Sequence, residues 1–349
     1  MSLKTLVLWA ARASGLFALS RLLTRHHLRI LCYHGIWLGP EPHYGDCLFM
    51  SAARFRQRMQ RLEQWGFKVI SLDEGCRRWR DGTLGARDVV ITIDDAWAGT
   101  YLEMLHVLRE HQFCATLYVP TENIVLDRPV LHLLVAFMVE RARPDADLGS
   151  VLQGESLNGL PQEEVTRRLL AVLGSMPSAE RETELERIGT VLGVDYRKLR
   201  AARAFEHMTP AELREATANG IALELHTHTH RMYGFNADEV RADLTLNRTH
   251  LAHLAALDPS GLRHFCYPSG KYHPTLFPTL TQMGIVSATT TEGGLNPPGA
   301  NPLALKRILD GESFSDLDIE ARLSGFWSVA TQMAAAWQRL ARRERTATA

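Results

Sequence analysis

Short apolar runs alternate with amphipathic segments along most of the chain. The runs have the length and β-branched content of strands that are buried on both faces, whereas the segments between them carry apolar residues at helical spacing. Strands alternating with helices are typical of a parallel sheet or barrel. The predicted strands lie at residues 28–33, 67–72, 89–93, 115–119, 220–225, 264–267 and 286–290.

The alternation breaks between Pro120 and Glu206, where the pattern is helical. Pro161 to Leu173 and Ala179 to Leu192 are charged amphipathic segments, each with a proline near its start. We therefore predict a helical insertion within the α/β domain. The predicted division of the chain is a basic N-terminal helix (1–27), the first part of the barrel or sheet (28–120), the insertion (121–205), the second part (206–315), and a C-terminal helix with a basic tail (316–349).

The first 40 residues contain no acidic side chain. Leu3 to Leu23 is apolar, but Arg12 lies in its middle, where a charge costs a spanning helix about 2.5–3.5 kcal/mol. The same arginine interrupts the apolar region that a signal peptide needs. The helical spacing of the apolar residues predicts a basic amphipathic helix. It could lie on an anionic membrane surface or pack on the protein's own core, and both placements stay open.

Composition narrows the class of protein. Lysine plus arginine and aspartate plus glutamate number 39 each, and this neutral balance argues against nucleic acid as a partner. The five cysteines form no CxxC pair, which favours a reducing compartment. We therefore expect a cytoplasmic protein, peripheral on the inner face of the membrane if its first helix binds lipid. Fifteen histidines raise the question of metal or acid–base chemistry.

Two groups of ionisable residues follow predicted strands. Asp94 and Asp95 end the strand at 89–93, where adjacent carboxylates need a cation or hydrogen bonds, or serve as helix caps. His226, His228 and His230 follow the strand at 220–225 and suit a metal such as Zn²⁺. His226 and His230 converge if the loop turns once, whereas His226 and His228 share a face if the strand continues. One aspartate with two histidines leaves room for water, as in a catalytic metal site.

A third group, Phe265-Cys266-Tyr267-Pro268-Ser269-Gly270-Lys271-Tyr272, predicts a tight turn at a strand end. Together the three groups resemble the polysaccharide deacetylase family, the NodB-type carbohydrate esterases. The motifs of that family are Thr-Phe-Asp-Asp-Gly, then His-Ser/Thr-x-x-x-His or a version one residue shorter, and then a Pro-Tyr-Gly turn. The resemblance covers residues 28–309 apart from the insertion.

This resemblance implies an α/β fold, a distorted (β/α) barrel of the NodB type, here with a helical insertion. It implies metal-dependent hydrolysis of an N-acetyl group on an amino sugar, with release of acetate. The substrate would be a polysaccharide, an oligosaccharide or a lipid-linked saccharide, as in exopolysaccharide biosynthesis. Zn²⁺ is the expected metal, and Co²⁺, Ni²⁺ or Mn²⁺ are alternatives.

The resemblance also assigns roles to matching residues. Asp94 resembles the general base, and Asp95 resembles the metal-binding aspartate. His226 and His230 resemble the metal-binding histidines, with His228 as an alternative to His230. The backbone N–H of Ser269 resembles the donor to the oxyanion.

Three departures from the family pattern bear on these roles. Ala96 replaces the usual glycine, a mild change. Cys266 stands where many members have an arginine that orients the base, and Arg307 is a candidate replacement as well as an ordinary surface arginine. The late Leu-x-x-His motif of the general acid is absent, but Leu31-Cys32-Tyr33-His34 has that pattern. Circularly permuted poly-N-acetylglucosamine deacetylases place this strand first, so His34 is the general-acid candidate.

Two other functions stay open at this point. The same fold hydrolyses other amides and imides, and an insertion large enough to cover the pocket would favour a small or lipid-linked substrate. A non-catalytic carbohydrate-binding homologue is the alternative from another class, and the missing motif arginine is the feature in its favour. The sequence leaves the oligomeric state open.

Overall fold

Seven parallel strands form a closed barrel in the computed structural model, which describes residues 2–152 and 156–334. The order around the barrel is β1-β10-β9-β8-β7-β6-β5, and β1 closes it by pairing with β5. This confirms the predicted (β/α) barrel. The strands are β1 (Ile30–Tyr33), β2 (Gly35–Ile36), β3 (Phe49–Met50), β4 (Lys68–Val69), β5 (Asp88–Asp94), β6 (Ala115–Val119), β7 (Ile221–Leu225), β8 (His264–Cys266), β9 (Ser287–Gly293) and β10 (Leu305–Leu309).

Helices surround the barrel and fill the gap between β6 and β7. Several begin at the side-chain caps that their sequences offer: the Ser51 hydroxyl accepts from the Arg54 N–H, and Thr209 and Glu212 form a capping box. The helices are α1 (Leu3–Ala13), α2 (Leu16–Leu23), α3 (Ala52–Gln64), α4 (Leu72–Arg80), α5 (Leu105–Glu110), α6 (Glu122–Val125), α7 (Leu131–Glu140), α8 (Gln162–Ser175), α9 (Ser178–Leu192), α10 (Tyr196–Ala201), α11 (Pro210–Ala218), α12 (Ala237–Ala255), α13 (Phe277–Gln282) and α14 (Asp316–Leu323).

Burial of the strands follows from this architecture. Every residue of β1, β5 and β6 is buried, because one face of each strand fills the barrel and the other is covered by helices. Strand β1 lies between β10 and β5, with Leu31 opposite both Ile308 and Ile91. A strand near the start of the chain thus completes the barrel.

Besides the two-residue strands β2 and β3, which the sequence does not predict, two strands differ from the sequence prediction. The segment at 67–72 contributes only β4, which pairs with β5 outside the barrel. β10 was missing from the predicted strands because Lys306 and Arg307 interrupt its apolar pattern. Arg307 is nevertheless 1% exposed, since its guanidinium finds partners inside the barrel. A strand with a buried charged residue is not recognised from the periodicity of its apolar residues.

Helices α6 to α10 lie between β6 and α11, where the sequence predicts the insertion. They pack around a core of their own, which includes Phe137, Leu169 and Leu185. That core joins an aromatic group next to the barrel, with Trp37 and Trp97 in the same cluster. The insertion is therefore attached to the barrel by apolar packing.

The N-terminal segment is two helices, so the prediction of a single helix is wrong. Gly15, at φ +81°, separates α1 from α2, and the two axes meet at 75°. No single helix among the described residues is long and apolar enough to cross a membrane; α1 and α2 reach that length and composition only as this bent pair.

At the other end of the chain, α14 stops at Leu323 and the backbone is helical again over residues 326–334. Gly325 separates the two segments at φ +78°. The rest of the predicted C-terminal helix and its basic tail lie outside the described residues.

Candidate active site

Ionisable side chains meet at the carboxyl end of the barrel. Asp94 is the last residue of β5, and His226 follows β7 directly. The register that pairs Tyr33 with Ile93 continues to place His34 beside Asp94. Parallel α/β barrels expose their strand ends at this face, so residues far apart in sequence share one site.

Asp94 is held by Arg307 through two parallel hydrogen bonds. The Nη1 and Nη2 atoms of Arg307 lie 2.7 Å from Oδ1 and Oδ2 of Asp94, and Nε donates to the Thr290 carbonyl. Burial raises the pKa of Asp94, but the guanidinium outweighs burial and lowers that pKa to about 2. Asp94 is therefore ionised at neutral pH.

Cys266 explains how Arg307 can take this position. The thiol lies 3.3 Å from Nη2 of Arg307 and 3.5 Å from Oδ2 of Asp94. It is a small side chain where the family pattern has an arginine, and Arg307 on β10 supplies a guanidinium to the same carboxylate. Arg307 is thus a buried ion-pair partner and not a surface arginine.

Asp95 faces two of the three loop histidines. Its Oδ1 lies 3.2 Å from Nε2 of His226 and 3.2 Å from Nε2 of His230. Its Oδ2 accepts from the indole N–H of Trp97 at 3.2 Å. Burial raises the pKa of Asp95, but His230 and His226 outweigh burial and lower it well below its usual range. An ionised carboxylate and two imidazoles converge here.

These three side chains fit a divalent metal. One ligand atom from each of Asp95, His226 and His230 lies within 4.8 Å of the others. Nδ1 of His226 is 2.8 Å from the Cys266 carbonyl, which makes Nδ1 the donor and leaves a lone pair on Nε2. The other two groupings of metal-ligating type among the described residues both need Asp94, whose oxygens each accept from Arg307. The Asp95 group therefore suits a cation best.

His228 points elsewhere. Its Nδ1 lies 2.9 Å from the Thr121 hydroxyl, and its ring stacks on His250 at 4.9 Å between centroids. The loop makes one turn, so His230 and not His228 converges with His226. His228 is outside the group that the Asp95 carboxylate joins.

Helix α12 holds the histidine loop in place. Asp243 accepts from the backbone N–H groups of His228 and Thr229, at 2.6 and 3.1 Å. Asn247, one turn later, accepts from the His226 N–H at 3.0 Å and donates to the Val119 carbonyl at 2.9 Å. These two helix residues position the loop, and sequence reasoning missed both.

Several residues at the site adopt backbone angles that side chains disfavour. Asp95 and Ala96 have φ of +71° and +54°, and Ser269 has φ +54°. Non-glycine residues in this region cost free energy and collect at functional sites. The left-handed angle at Ala96 explains why glycine is usual there, and the replacement by alanine leaves strain in the loop.

His34 and Ser269 flank the carboxylates. Nε2 of His34 lies 3.7 Å from Oδ2 of Asp94, and the side chain is 17% exposed. Its Nδ1 is buried without a hydrogen-bond partner among the described residues. Ser269 belongs to the turn after β8 and lines the same cavity as Asp95. The roles of His34 and of the Ser269 backbone N–H stay predictions.

The cavity over the site has a volume of about 600 Å³. Asp95, His230 and Ser269 form part of its floor, and the insertion forms part of its wall. The insertion supplies apolar side chains such as Leu131 and Leu170, and an open position at Gly174. This volume is suitable for a sugar unit or two.

Two further histidines border the site without a motif that would identify them. His132 and His207 line the cavity, and His207 pairs through its backbone with Trp97. Burial lowers the pKa of both imidazoles, that of His207 to about 4, so both are neutral at neutral pH. Sequence reasoning did not identify either histidine as part of the site, since neither belongs to one of the motifs.

Residues 180–288 match the polysaccharide deacetylase family. No curated protein matches the chain. Among solved structures, the chain is similar to the Streptococcus pyogenes deacetylase PplD in complex with acetate, with a TM-score of 0.57 and 16% identity over 85% of this chain and 98% of that chain. It is also similar to IcaB from Ammonifex degensii, with a TM-score of 0.54 and 17% identity over 85% and 97%.

The Bacillus cereus polysaccharide deacetylase BC0361 has a TM-score of 0.53 and 15% identity over 85% of this chain and 69% of that chain. At these identities the structures support the fold, and the family match supports the chemistry. The family match over residues 180–288 and the shared fold agree with the predicted resemblance to polysaccharide deacetylases.

Proposed function

We propose that this polysaccharide deacetylase depends on a divalent metal and removes the acetyl group from an N-acetylated amino sugar. The observation that carries the proposal is the pairing of two different carboxylate environments. Asp94 is held by Arg307, and the adjacent Asp95 faces His226 and His230. A base and a metal site are thereby adjacent, and Asp95 and His230 line the cavity.

Asp95, His226 and His230 would hold the metal, and one carboxylate with two imidazoles suits Zn²⁺. A cation there supplies Lewis-acid polarisation of the acetyl carbonyl and makes a nearby water more acidic. The hydrogen bond between Nδ1 of His226 and the Cys266 carbonyl orients one ligand, as partners behind metal ligands commonly do.

Asp94 takes the proton of the attacking water in this proposal. Arg307 keeps the carboxylate ionised and aligned, although the same pairing makes Asp94 a weak base. At neutral pH Asp94 is therefore unprotonated and can accept a proton. In this proposal Asp95 binds the metal and Asp94 accepts the proton in the same step.

Ser269 and His34 serve the later parts of the reaction. The Ser269 N–H donates to the oxygen that becomes negative when water attacks the carbonyl. His34, 3.7 Å from Asp94, donates a proton to the departing amine nitrogen once the C–N bond breaks. The products are acetate and a free amino sugar.

The Asp94→Asn variant tests this division of roles. It should lower kcat for acetate release from N-acetylated oligosaccharides by about 10²–10⁴, because the base is removed, while bound metal stays near one ion per chain. The Asp95→Asn variant is the matched control, since it should lose metal affinity first. Full activity of Asp94→Asn would refute the base assignment, and loss of its metal would refute the separation of roles.

The insertion supports a limit on substrate size. Leu131, Leu170 and Gly174 bring helices α7 and α8 to the cavity above Asp95. We infer that a chain end, a short oligosaccharide or a lipid-linked saccharide enters more readily than the middle of a long polymer. Rates of acetate release from monomeric, oligomeric, polymeric and lipid-linked N-acetyl sugars test this, and an equal rate on the polymer would contradict it.

A further inference from the structure

The outward surfaces of α1 and α2 are apolar. The described residues include sixteen exposed large apolar side chains, and eight of them belong to these two helices. The eight are Leu3, Leu6, Val7, Trp9, Leu16, Leu19, Leu22 and Leu23. Exposed leucine and tryptophan side chains concentrated on two neighbouring helices mark an interaction surface.

The opposite surfaces of the same helices are already occupied. Leu8, Ala11 and Phe17 are buried in a cluster with Ala321 of α14. Lys4 and Arg12 form ion pairs with Asp318 and Glu320, also on α14, at 2.5 and 2.9 Å. The pair is thus held on the protein by one face, which leaves the leucine-rich face pointing outward.

The chain segment that carries this face is basic. The first 40 residues contain no aspartate or glutamate. Arg21 is partly buried near Arg87, and Arg25 is exposed next to His26. Beyond the described residues, the sequence after Ala334 holds four arginines and one glutamate.

We propose that the outward face of α1 and α2, termed the leucine face and made of the eight residues above, binds an anionic lipid bilayer. Leucines would enter the acyl boundary while the cations at the margin meet lipid phosphates, as in interfacial helices. The 75° bend and the buried face argue for a helix pair lying on the bilayer and not across it.

Charge argues for a bilayer over a second copy of the chain. A symmetric dimer through the leucine face would bring Arg21 and Arg25 of two copies together. Asp318 and Glu320 of α14, which contact this helix pair, are already paired with Lys4 and Arg12. An anionic membrane supplies the missing negative charge.

Vesicle flotation of the full chain tests the proposal. Vesicles of equal parts phosphatidylcholine and phosphatidylglycerol should carry the protein, whereas phosphatidylcholine alone and high salt should weaken binding. The Leu19→Gln/Leu22→Gln variant should bind about tenfold more weakly or worse, because two exposed leucines no longer enter the lipid. The matched control is Leu102→Gln/Leu246→Gln, which changes exposed leucines elsewhere and should bind within about twofold of wild type.

Three outcomes would overturn the proposal. The wild-type chain could remain unbound to the anionic vesicles, or the leucine-face variant could bind as tightly as wild type. The third is a dimer in light scattering that this variant converts to a monomer, which would assign the leucine face to a second copy. Both variants should keep the wild-type melting temperature, since the altered side chains are exposed.

Discussion

Asp94 and Asp95 are adjacent in the chain, but their carboxylate oxygens have different hydrogen-bond partners. Asp94 has a fixed countercharge in a guanidinium that cannot lose its proton. Asp95 has two imidazoles and one indole N–H, which leaves its Oδ1 available for a cation. The left-handed angle at Asp95 turns its side chain away from that of Asp94. One residue of separation thus yields two chemical environments.

Removal of the Arg307 charge should shift the pH dependence of catalysis. In Arg307→Gln the main interaction that opposes the effect of burial on Asp94 is lost, so the pKa of Asp94 rises from about 2. The acidic limb of the kcat/KM profile should move to higher pH, because protonated Asp94 cannot accept a proton. Arg307→Lys keeps a charge and should move the limb less, and an unshifted limb in Arg307→Gln would contradict the orienting role.

The same pair has a defined effect on stability. The folded-state pKa of Asp94 is depressed, so its contribution to stability is complete above the ordinary carboxyl pKa of about 3.9 and is lost as pH falls towards 2. Arg307→Gln should therefore lose more stability relative to wild type at neutral pH than in acid. Chemical unfolding at both pH values measures this difference.

At the scale of elements, two loops and one helix hold the reacting groups. Asp243 and Asn247 on α12 bind the histidine loop, and the turn after β8 holds Ser269. The insertion closes one side of the cavity with α7 and α8. Loop geometry therefore depends on packing against regular elements, which act as a rigid support.

Gly270 is the point where the Ser269 turn tolerates no side chain. It has φ +66°, and a Cβ would lie 2.6 Å from the Thr291 backbone nitrogen and 1.9 Å from its hydroxyl. Gly270→Ala should displace the turn and lower kcat, with metal content unchanged, and should destabilise the fold by about 1–3 kcal/mol. Gly284→Ala is the control, since Gly284 has φ +77° with open space, and equal kcat losses in both variants would contradict the role of the turn.

Gly174 offers a way to narrow the cavity without disturbing the barrel. It lies in α8, lines the cavity, and a Cβ there meets nothing within 4 Å. Gly174→Trp should raise KM for an N-acetylated oligosaccharide several-fold by filling space, with a smaller effect on the monomeric sugar. Gly174→Ala should leave KM near wild type and stabilise α8 by about 1 kcal/mol. An unchanged KM in Gly174→Trp would exclude α8 from the substrate path.

At the scale of the whole molecule, buried arginines join elements that are distant in sequence. Arg58 of α3 has no exposed side-chain surface and binds Asp310, just past β10, at 2.6 Å. It also binds Asp316, the first residue of α14, at 2.6 Å. The closing strand and the C-terminal helix are thus tied to a helix from the first third of the chain.

Loss of Arg58 should destabilise the entire barrel. Arg58→Met leaves the buried Asp310 carboxylate without its countercharge, which should cost about 3–5 kcal/mol of unfolding free energy. Calorimetry should show a lower melting temperature in a single transition. The double variant Arg58→Met/Asp310→Asn should recover part of the loss, and no recovery would mean that packing and not charge dominates.

Much of the fold could be predicted from local signals. The runs that became β5, β6, β7 and β8 are apolar and bounded by turns, so periodicity identifies them without tertiary information. Residue spacing likewise indicated one aspartate of the Asp94–Asp95 pair with two of the three loop histidines as a group, and the family resemblance selected Asp95, His226 and His230. Strand β10 was not predicted because its central residue is a buried arginine. The bend at Gly15 was not predicted because the apolar spacing continues across it.

The sequence by itself determined the alternation of strands and helices, the acid-free N-terminus, and the carboxylates and histidines placed after strands. These depend on neighbours within a few residues. Tertiary structure alone decided that Arg307 reaches Asp94, that His230 and not His228 faces Asp95, and that the insertion walls the cavity. Closure of the barrel sets those distances, because it brings together strand ends that are distant in sequence; Asp94 and Arg307 are 213 residues apart.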